Sequence, residues 1–379
     1  MFDFEPTDEQ KLLIETARRF AREEIMPVAA KCDHEGKFPA GVMEKAHELG
    51  LVNIEIPEAF GGLGLGCAEN CLVIEEMAYG CAGIAVPMAV NTLASAPVFI
   101  AGTEAQKKRY LGELTDSPCF AAYAITEPGA GSDVVAMRTS VRKDGNHYIL
   151  NGQKTFITNA SWSRWLVVFA TLDRSHKHKG ICAFVVPRDT PGLSIGKKED
   201  KLGQRASDTA DVILEDVRLG PEHLLGQEGE GFRIAMKTFD RTRPWIGALA
   251  TGIMRRCLDE CVAYAKERVT FGQPIGAHQA VQFMLAEMAI KIEATSLLTK
   301  RAAWQVDRGN PVSIDSSLAK AFGADSAMAV ATDAVQVFGG YGYSREYPVE
   351  KLMRDAKLLQ IYEGTSQIQR MVIGRHLLK

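Results

Sequence analysis

Apolar residues recur at helical spacing through the first part of the chain. Residues 7–10 (TDEQ) have the form of a capping box, in which the two end residues satisfy each other's backbone N–H groups. The stripe that follows includes Leu12, Phe20 and Ile25, and we expect this first helix to end before Pro27. The same spacing predicts further helices over residues 40–49, 68–79, 89–101 and 106–114.

The pattern changes near Pro118, where short β-rich runs replace the helical stripes. These runs alternate with turn dipeptides such as Asn151-Gly152, which favours a tight hairpin turn. Strands are predicted over residues 148–150, 156–158, 165–169, 183–186 and 212–214. Several short strands separated by turns are typical of a compact antiparallel β-sandwich or barrel.

From about Gly231 the chain returns to long helical stripes, predicted over residues 248–270, 279–309 and 316–338. The last of them stops at Gly339-Gly340, because glycine is a common helix terminator. Long alanine-rich helices suit a closely packed bundle. The predicted fold class is therefore α+β and multi-domain. It has an N-terminal helical domain (1–118), a middle antiparallel β-sandwich or barrel (119–230) and a C-terminal four-helix bundle (231–379).

Composition restricts the class of protein. The chain is 46% hydrophobic and 24% charged, as is usual for soluble globular proteins, and its net charge of −3 without a long basic run argues against nucleic-acid binding. No apolar stretch is expected to span a membrane, and the N-terminus lacks a signal-peptide pattern. The eight scattered cysteines have no metal-ligand spacing, so we expect reduced thiols, a cytoplasmic location and no metal site.

The segment 361–370 (IYEGTSQIQR) places one carboxylate, Glu363, between apolar residues and a glycine. Thr365 and Ser366 are suitable caps for a last helix, so Glu363 is expected on a tight turn. A carboxylate in partly apolar surroundings has a raised pKa and can serve as a general base. Taken alone, the segment fits an exposed turn residue at least as well.

The segment Tyr123–Asp133 combines hydroxyls at Thr126 and Ser132 with the run Gly129-Ala130-Gly131. Small residues allow a bulky ligand to approach the backbone, and free N–H groups in such a loop suit a phosphate or a polar ring edge. A simple decorated turn explains the same residues. The segment lacks the G-x-G-x-x-G pattern and the strand–loop–helix context of a dinucleotide fold, so NAD is not the favoured cofactor.

Four further segments have both a functional and a structural explanation. Phe156 and Thr158 share one face of a predicted strand, which could hold a planar ring or belong to the sandwich core. Arg268 ends a helix, where it could bind a pyrophosphate or complement the helix dipole. The segment 336–342 (QVFGGYG) contains glycines that allow a ligand to contact the backbone closely. The segment 239–244 (FDRTRP) could bind an anionic ligand or form a surface ion-pair cluster.

Taken together, these segments resemble the acyl-CoA dehydrogenase family over essentially the whole chain. Tyr123–Asp133 is similar to the family's first signature, and Gln336–Gly342 and Tyr362–Gln369 are similar to its C-terminal ones. The C-terminal third resembles medium-chain members most, whereas Met88–Asn91 resembles short-chain members. All these segments occur in order on an α–β–α background of the right length, which makes the combination very specific.

The resemblance implies one FAD per subunit, a homotetramer, and an electron-transfer flavoprotein as electron acceptor. It implies α,β-dehydrogenation of an acyl-CoA thioester, with Glu363 taking the α proton while the β hydrogen leaves as hydride to the flavin. The Glu363 N–H and a ribityl hydroxyl would polarise the thioester carbonyl.

The resemblance also assigns residues by position. FAD contacts within the subunit are Tyr123, Ile125, Thr126, Gly131, Ser132, Phe156 and Thr158. FAD contacts from a neighbouring subunit are Arg268, Thr270, Gln279, Gln336 and Gly340, while Thr365 and Gln367 face the adenosine–pyrophosphate side. Substrate contacts are Ser132, Asp240, Arg243, Tyr362 and Gly364.

Two positions bear on the chemistry. Some members place the base on the helix that contains residues 239–243, but the corresponding residue here is Thr242, which leaves Glu363 as the candidate base. Trp245 stands where medium-chain members have a smaller residue, so a ring facing the acyl pocket would favour a short, branched or cyclic acyl group. The sequence also leaves open an acyl-CoA oxidase, a 1,4-dehydrogenase of cyclic enoyl-CoA, and a non-catalytic flavoprotein.

Overall fold

The computed structural model describes residues 5–378, so residues 1–4, on which the signal-peptide expectation partly depends, lie outside it. The capping box is confirmed, because Gln10 N donates to Thr7 Oγ1 at 3.2 Å and Thr7 N donates to Gln10 Oε1 at 3.1 Å. The helices of the N-terminal part are α1 (Asp8–Phe20), α2 (Met26–Glu35), α3 (Val42–Glu48), α4 (Cys67–Ala101) and α5 (Glu104–Asp116).

Two predicted helix ends are wrong. The first helix continues past Pro27 through a π-helical turn, Ala21–Ile25, into α2. Pro27 lies in the first turn of α2, where its missing N–H leaves no helical hydrogen bond unmade. The two helices predicted over 68–79 and 89–101 are both part of α4, which bends at Cys81, where the backbone is extended (φ −169°, ψ 115°).

The expectation that no apolar stretch could cross a membrane also needs correction. Within the described residues, α4 is the one helix whose length and apolar composition would allow it to cross a membrane. Within the most apolar stretch of α4, 67% of the residues are buried inside the protein. α4 packs against α1, against a strand of the middle domain and against the first long helix of the bundle. This burial inside the protein is typical of the core helix of a globular fold.

The middle part forms one eight-stranded sheet that begins with β1 (Phe120–Ala124). The other strands are β2 (Ser140–Asp144), β3 (His147–Thr158), β4 (Ser163–Thr171), β5 (Ile181–Pro187), β6 (Leu193–Lys198), β7 (Thr209–Leu219) and β8 (Leu224–Leu225). The order is β6-β7-β3-β2-β4-β5-β8, with β1 also paired to β4. The sheet is mixed, not purely antiparallel, because β4 runs parallel to both β1 and β2.

The last part contains long helices and a small hairpin made of β9 (Val269–Thr270) and β10 (Gln273–Pro274). The helices are α6 (Gly231–Glu267), α7 (Gln279–Asp307), α8 (Ser313–Phe338), α9 (Val349–Leu359) and α10 (Ser366–Leu377). α6 begins earlier than predicted and runs through Pro244 without interruption. α4, α6, α7 and α8 pack together around one large apolar core, and α9 and α10 pack on α8.

Candidate active site

The turn between α9 and α10 presents Glu363 in an unusual backbone conformation. Glu363 has φ 56° and Gly364 has φ 87°, so two consecutive residues lie in the left-handed region. A non-glycine residue there is strained and persists only where its surroundings hold it. Thr365 caps α10, since its Oγ1 accepts from Ile368 N at 3.2 Å. The turn therefore needs other contacts to stabilise it.

Three buried side chains supply those contacts. The Glu363 carbonyl accepts from Arg243 Nε at 3.3 Å and from Gln369 Nε2 at 3.1 Å. The Gly364 carbonyl accepts from Lys320 Nζ at 2.6 Å and from Gln369 Nε2 at 2.9 Å. Arg243 is only 5% exposed, while Lys320 and Gln369 are fully buried. We call Arg243, Lys320 and Gln369 the carbonyl clamp, because they hold both carbonyls of the strained turn.

The Glu363 carboxylate is tuned toward neutral pH. Burial raises its pKa to about 7, while the Arg243 guanidinium, a hydrogen bond from Thr242 and the Lys320 ammonium act in the opposite direction. Thr242 Oγ1 lies 3.2 Å and 3.1 Å from the two carboxylate oxygens. Thr242 therefore donates a hydrogen bond to the carboxylate of Glu363. A carboxylate of this pKa is partly ionised near neutral pH and is basic enough to accept a proton.

The cations beside Glu363 are themselves shifted by burial. Burial lowers the pKa of Lys320 to about 8, although the nearby Glu363 carboxylate opposes this shift. Burial also lowers the pKa of Arg243, against the attraction of Asp240, whose Oδ1 lies 3.2 Å from Arg243 Nη1. Asp240, in turn, has a pKa raised by burial. Two buried cations and two carboxylates therefore share this site.

Tyr362, predicted as a substrate contact, connects Glu363 to a buried polar network. Gln204 Nε2 donates to the Tyr362 hydroxyl at 3.3 Å, and Gln204 N makes a short hydrogen bond to Asp355. Lys351 Nζ completes the network at 2.5 Å from Asp355 Oδ2. Burial raises the pKa of Tyr362, so the phenol stays neutral. The network fixes the chain on the N-terminal side of the strained turn.

Tyr123 brings the glycine-containing loop to Glu363. Burial, with a contribution from the Glu363 charge, raises the pKa of Tyr123 well above its ordinary value. The Tyr123 ring packs edge-on against Phe239 of α6 at 5.6 Å between ring centroids. Its hydroxyl is buried and has no hydrogen-bond partner among the described residues. A buried hydroxyl without a partner fits a site completed by a bound polar group.

A buried ion pair holds the loop that follows Tyr123. Lys154 Nζ lies 2.7 Å from Glu127 Oε1, and Glu127 also accepts the Arg138 N–H at 2.5 Å and the Thr139 N–H at 2.9 Å. Burial lowers the pKa of Lys154 to about 8, while Glu127 opposes that shift. Thr155 N donates to Thr126 O at 2.9 Å, which ties the loop to β3. The loop is therefore rigidly attached to the sheet.

The surface of this loop fits a flavin ring. A Cβ at Gly131 would meet nothing within 4 Å, and Gly131 and Ser132 are exposed. Phe156 is 61% exposed at φ 57°, which presents an aromatic ring on the same strand that carries Lys154. The exposed Ser132 hydroxyl and Phe156 ring, together with the unpartnered Tyr123 hydroxyl, suit a planar cofactor with a polar edge.

The second predicted group of FAD contacts lies elsewhere on the chain. Arg268, Thr270 and Gly340 line a cleft of about 610 Å³ together with Tyr264 and Tyr341, and none of the residues around Glu363 lines it. The Arg268 guanidinium lies 5.4 Å from the Tyr341 ring centroid. Gln279 and Gln336 are exposed on α7 and α8 but do not line this cleft. Thr365 caps α10, as described, and Gln367 is exposed on its first turn.

The contacts that the sequence interpretation missed are buried lysines and glutamines. Lys320, Gln369, Gln204 and Lys154 hold the turn and the loop, yet the sequence interpretation gave none of them a role. A signal was present for Lys320, which is a single cation inside an alanine- and serine-rich stretch of α8. A lysine in such a buried helix needs a partner, and here the partner is the Gly364 carbonyl.

A helical N-terminal part, a mixed sheet and a helical bundle that carries one buried, tuned carboxylate agree with the acyl-CoA dehydrogenase class of flavoenzyme. The comparison with known families confirms this class. The N-terminal, middle and C-terminal domain models of acyl-CoA dehydrogenase match residues 7–117, 122–217 and 229–378. The chain belongs to the acyl-CoA dehydrogenase family, is an oxidoreductase of that type, and uses FAD, the cofactor of this family.

The relatives agree over nearly the whole chain. A probable medium-chain specific acyl-CoA dehydrogenase 2, mitochondrial, of Caenorhabditis briggsae is 47% identical over 99% of this chain and 92% of its own. The butyryl-CoA dehydrogenase structure from Megasphaera elsdenii has a TM-score of 0.97 at 40% identity, with full coverage of both chains. A structure described for an electron transferring flavoprotein of Acidaminococcus fermentans also has a TM-score of 0.97, at 42% identity and full coverage of both chains. The predicted fold is confirmed, and the bounds of the three domains stay predictions.

Proposed function

We propose that this enzyme converts an acyl-CoA thioester to the trans-2-enoyl-CoA, with Glu363 as the base that removes the α proton. The observation that carries the proposal is the Glu363 carboxylate itself. It has a pKa raised to about 7, accepts a hydrogen bond from Thr242 and stands on a clamped turn near Tyr123. An α C–H is a very weak acid, so a base of this kind needs help from carbonyl polarisation.

The turn can provide that polarisation. The Glu363 N–H donates to no acceptor within residues 5–378, which leaves it available for a thioester carbonyl. The carbonyl clamp fixes the peptide units on the C-terminal side of this N–H, so its direction is set before substrate binds. A preorganised donor aimed at developing negative charge stabilises an enolate-like transition state. Bound FAD supplies the acceptor for the β hydride.

We propose FAD contacts at the seven predicted positions on the β domain, from Tyr123 to Thr158, supported by the exposed loop surface and the unpartnered Tyr123 hydroxyl. The proposed substrate contacts are Ser132, Asp240, Arg243, Tyr362 and Gly364. Asp240, Arg243 and Tyr362 all lie around Glu363, and Gly364 follows it directly. The contacts from a neighbouring subunit are proposed at the cleft lined by Arg268, Thr270 and Gly340, together with Gln279 and Gln336.

The acyl group is proposed to be short, branched or cyclic, and Trp245 supports this. Trp245 is 3% exposed and belongs to the apolar core that also contains Met88 of α4 and Leu249 of α6. An indole there occupies volume that a smaller side chain would leave open. Whether its ring limits the acyl chain directly stays a prediction. The relatives are named medium-chain, short-chain and butyryl-CoA dehydrogenases, so their names span short and medium acyl chains.

We further propose a homotetramer, with an electron-transfer flavoprotein as acceptor. α7 exposes Phe283, Ile290, Leu297 and Trp304 by 60%, 60%, 40% and 39%. This seven-residue spacing places them along one face, which suits packing against another helix. Phe271, at the tip of the β9–β10 hairpin, is 95% exposed next to the Arg268 cleft. We also propose a cytoplasmic location, which the eight unpaired cysteines support.

One experiment tests the proposed reaction. The purified enzyme with FAD is titrated anaerobically with a panel of straight, branched and cyclic acyl-CoA thioesters from short to long. The expected result is bleaching of the flavin band by short, branched or cyclic thioesters, with the enoyl-CoA as product. A panel in which no thioester bleaches the flavin contradicts the proposal, and a maximum on long chains contradicts the role given to Trp245. Oxygen uptake during turnover would indicate an oxidase instead.

A further inference from the structure

The loop between β6 and β7 contains a strained residue, Gln204, that contacts the active-site turn. Gln204 is fully buried and has φ 47°, in the left-handed region. A residue with a side chain adopts that conformation only where its surroundings hold it. The amide oxygen of Gln204 is also buried and has no hydrogen-bond partner within the described part of the chain. Both features cost folding free energy, so the contacts of Gln204 must account for them.

Asp355 of α9 holds Gln204 at two points. The Gln204 N–H makes a short hydrogen bond to the Asp355 carboxylate, and Gln204 Nε2 donates to the Asp355 carbonyl at 3.1 Å. Asp355 is itself fully buried, and its Oδ2 lies 2.5 Å from Lys351 Nζ. Lys351 Nζ also donates to Cys81 Sγ at 3.1 Å, at the bend of α4. A buried carboxylate with both oxygens bonded is fixed in place, and it fixes the Gln204 backbone in turn.

Two helices enclose the loop around Gln204. A Cβ at Gly203 would lie 2.1 Å from the Arg354 carbonyl, so the loop and α9 are in direct backbone contact. Arg354 Nη1 also donates to the Leu202 carbonyl at 3.1 Å. From α4, Gly83 faces the loop so closely that a Cβ there would lie 3.1 Å from Gln204 Cα. The loop is therefore held between α4 and α9, and it ties the sheet to the helical bundle.

The remaining contact of Gln204 leads to the base. Gln204 Nε2 donates to the Tyr362 hydroxyl at 3.3 Å. The Tyr362 ring is half-buried against the large apolar core, and Glu363 follows it directly in the chain. Tyr362 and Glu363 share a peptide unit, so a phenol fixed at its hydroxyl limits the rotation of that unit. The carbonyl clamp holds the C-terminal side of Glu363, and Gln204 therefore completes the hold on its N-terminal side.

We propose that Gln204 is a positioning residue of the reaction, which fixes Tyr362 and through it the direction of the Glu363 carboxylate and N–H. This inference rests on the proposed function. Gln204 belongs to the sheet that carries the proposed FAD contacts, whereas Glu363 belongs to the bundle. The same side chain therefore sets the place of the base relative to that sheet. A displacement of about 1 Å at a reacting group can lower a rate about 100-fold, so such a contact has a kinetic effect.

A double-mutant cycle tests whether Gln204 acts through the Tyr362 hydroxyl. Gln204→Met keeps the length of the side chain and loses its donors, and Tyr362→Phe keeps the ring and loses the hydroxyl. Flavin reduction is followed in the FAD-loaded enzyme with the thioester that is most active in the panel. We expect Gln204→Met to lower the reduction rate at saturation about tenfold and to leave the thioester dissociation constant unchanged. In the Tyr362→Phe background the same substitution should change the rate by less than about twofold, because the partner is already absent.

Amide hydrogen exchange tests the hold on the turn without turnover. The backbone N–H groups of Ile361, Tyr362 and Ser366 are hydrogen-bonded within the turn, so their exchange reports its opening. Gln204→Met should raise the exchange rate of residues 361–366 about tenfold. The matched control is Gln106→Met, since Gln106 is also buried and donates to the Glu222 and Leu224 carbonyls at 2.8 Å, between α5 and the sheet. This control should lower thermal stability and change neither flavin reduction nor exchange in the turn.

Several outcomes would overturn the positioning role. An equal loss of reduction rate in both Tyr362 backgrounds shows that Gln204 does not act through the hydroxyl. A loss confined to the thioester dissociation constant, wild-type exchange in the turn of Gln204→Met, or an equal loss of reduction in Gln106→Met contradicts it as well. If exchange in the turn rises as expected but no thioester reduces the wild-type flavin, the proposed function fails while the hold of Gln204 on the turn stands.

Discussion

At the residue scale, the proposed chemistry depends on one carboxylate, Glu363, whose proton affinity is set by several neighbouring side chains together. Burial raises the pKa of Glu363, and Arg243, Thr242 and Lys320 limit the rise. A base accepts a proton only when it is ionised, so we expect kcat/KM to rise with pH through about 7. The free energy of unfolding should change in the opposite direction. A carboxyl group whose pKa is raised in the folded state destabilises the fold as the pH rises through that pKa.

Replacing Glu363 by glutamine should abolish flavin reduction and leave binding intact. The amide is nearly isosteric, so the turn and its hydrogen bonds survive, but it cannot accept the α proton. Stopped-flow flavin reduction should fall by at least about 1,000-fold, in the range that removal of a general base produces. Glu48→Gln, an exposed acid on α3, is the control and should reduce normally. Near wild-type reduction by Glu363→Gln would rule out this base.

Lys320 should act by positioning and tuning Glu363. Lys320→Met removes a buried cation that lowers the pKa of Glu363, so the acidic limb of the kcat/KM profile should move to higher pH. It also leaves the Gly364 carbonyl with one donor fewer, which should lower kcat about tenfold at the plateau. Lys320→Arg should restore the position of the limb, and Lys237→Met, on the exposed face of α6, should change neither value. An unshifted limb in Lys320→Met would contradict this role.

At the scale of elements, the loop between β1 and β2 is held by the Lys154–Glu127 ion pair. Lys154→Met should leave Glu127 buried without its partner, at a cost of about 3 kcal/mol in unfolding free energy. The loop would then lose its geometry, and FAD affinity of the apoenzyme, measured by quenching of flavin fluorescence, should fall at least about tenfold. Lys143→Met, in an exposed pair with Glu228, serves as control. Unchanged FAD affinity would show that the pair does not shape this site.

At the scale of the whole molecule, the exposed face of α7 predicts assembly. Ile290→Glu together with Leu297→Glu places two charges on this face, and sedimentation analysis should show a smaller species than the proposed homotetramer. FAD should also dissociate more readily, because the Arg268 cleft would lose its neighbouring subunit. Leu12→Glu, at a comparably exposed apolar residue of α1, should leave the assembly intact. A double variant that still sediments as a tetramer would exclude this face as the interface.

The sequence by itself determined the order α–β–α, the capping box at Thr7 and the contiguous segment that contains Glu363, because periodicity, turn dipeptides and contiguous motifs are local. It failed where distant segments decide the outcome. α4 is a single bent helix because the core packs around it, and the sheet is mixed because β1 pairs with β4 across the intervening hairpin. The tuning of Glu363 was also invisible, since Lys320 and Arg243 approach it from α8 and α6 only in the folded chain. Desolvation and charge depend on distances in space, and only the tertiary structure sets those distances.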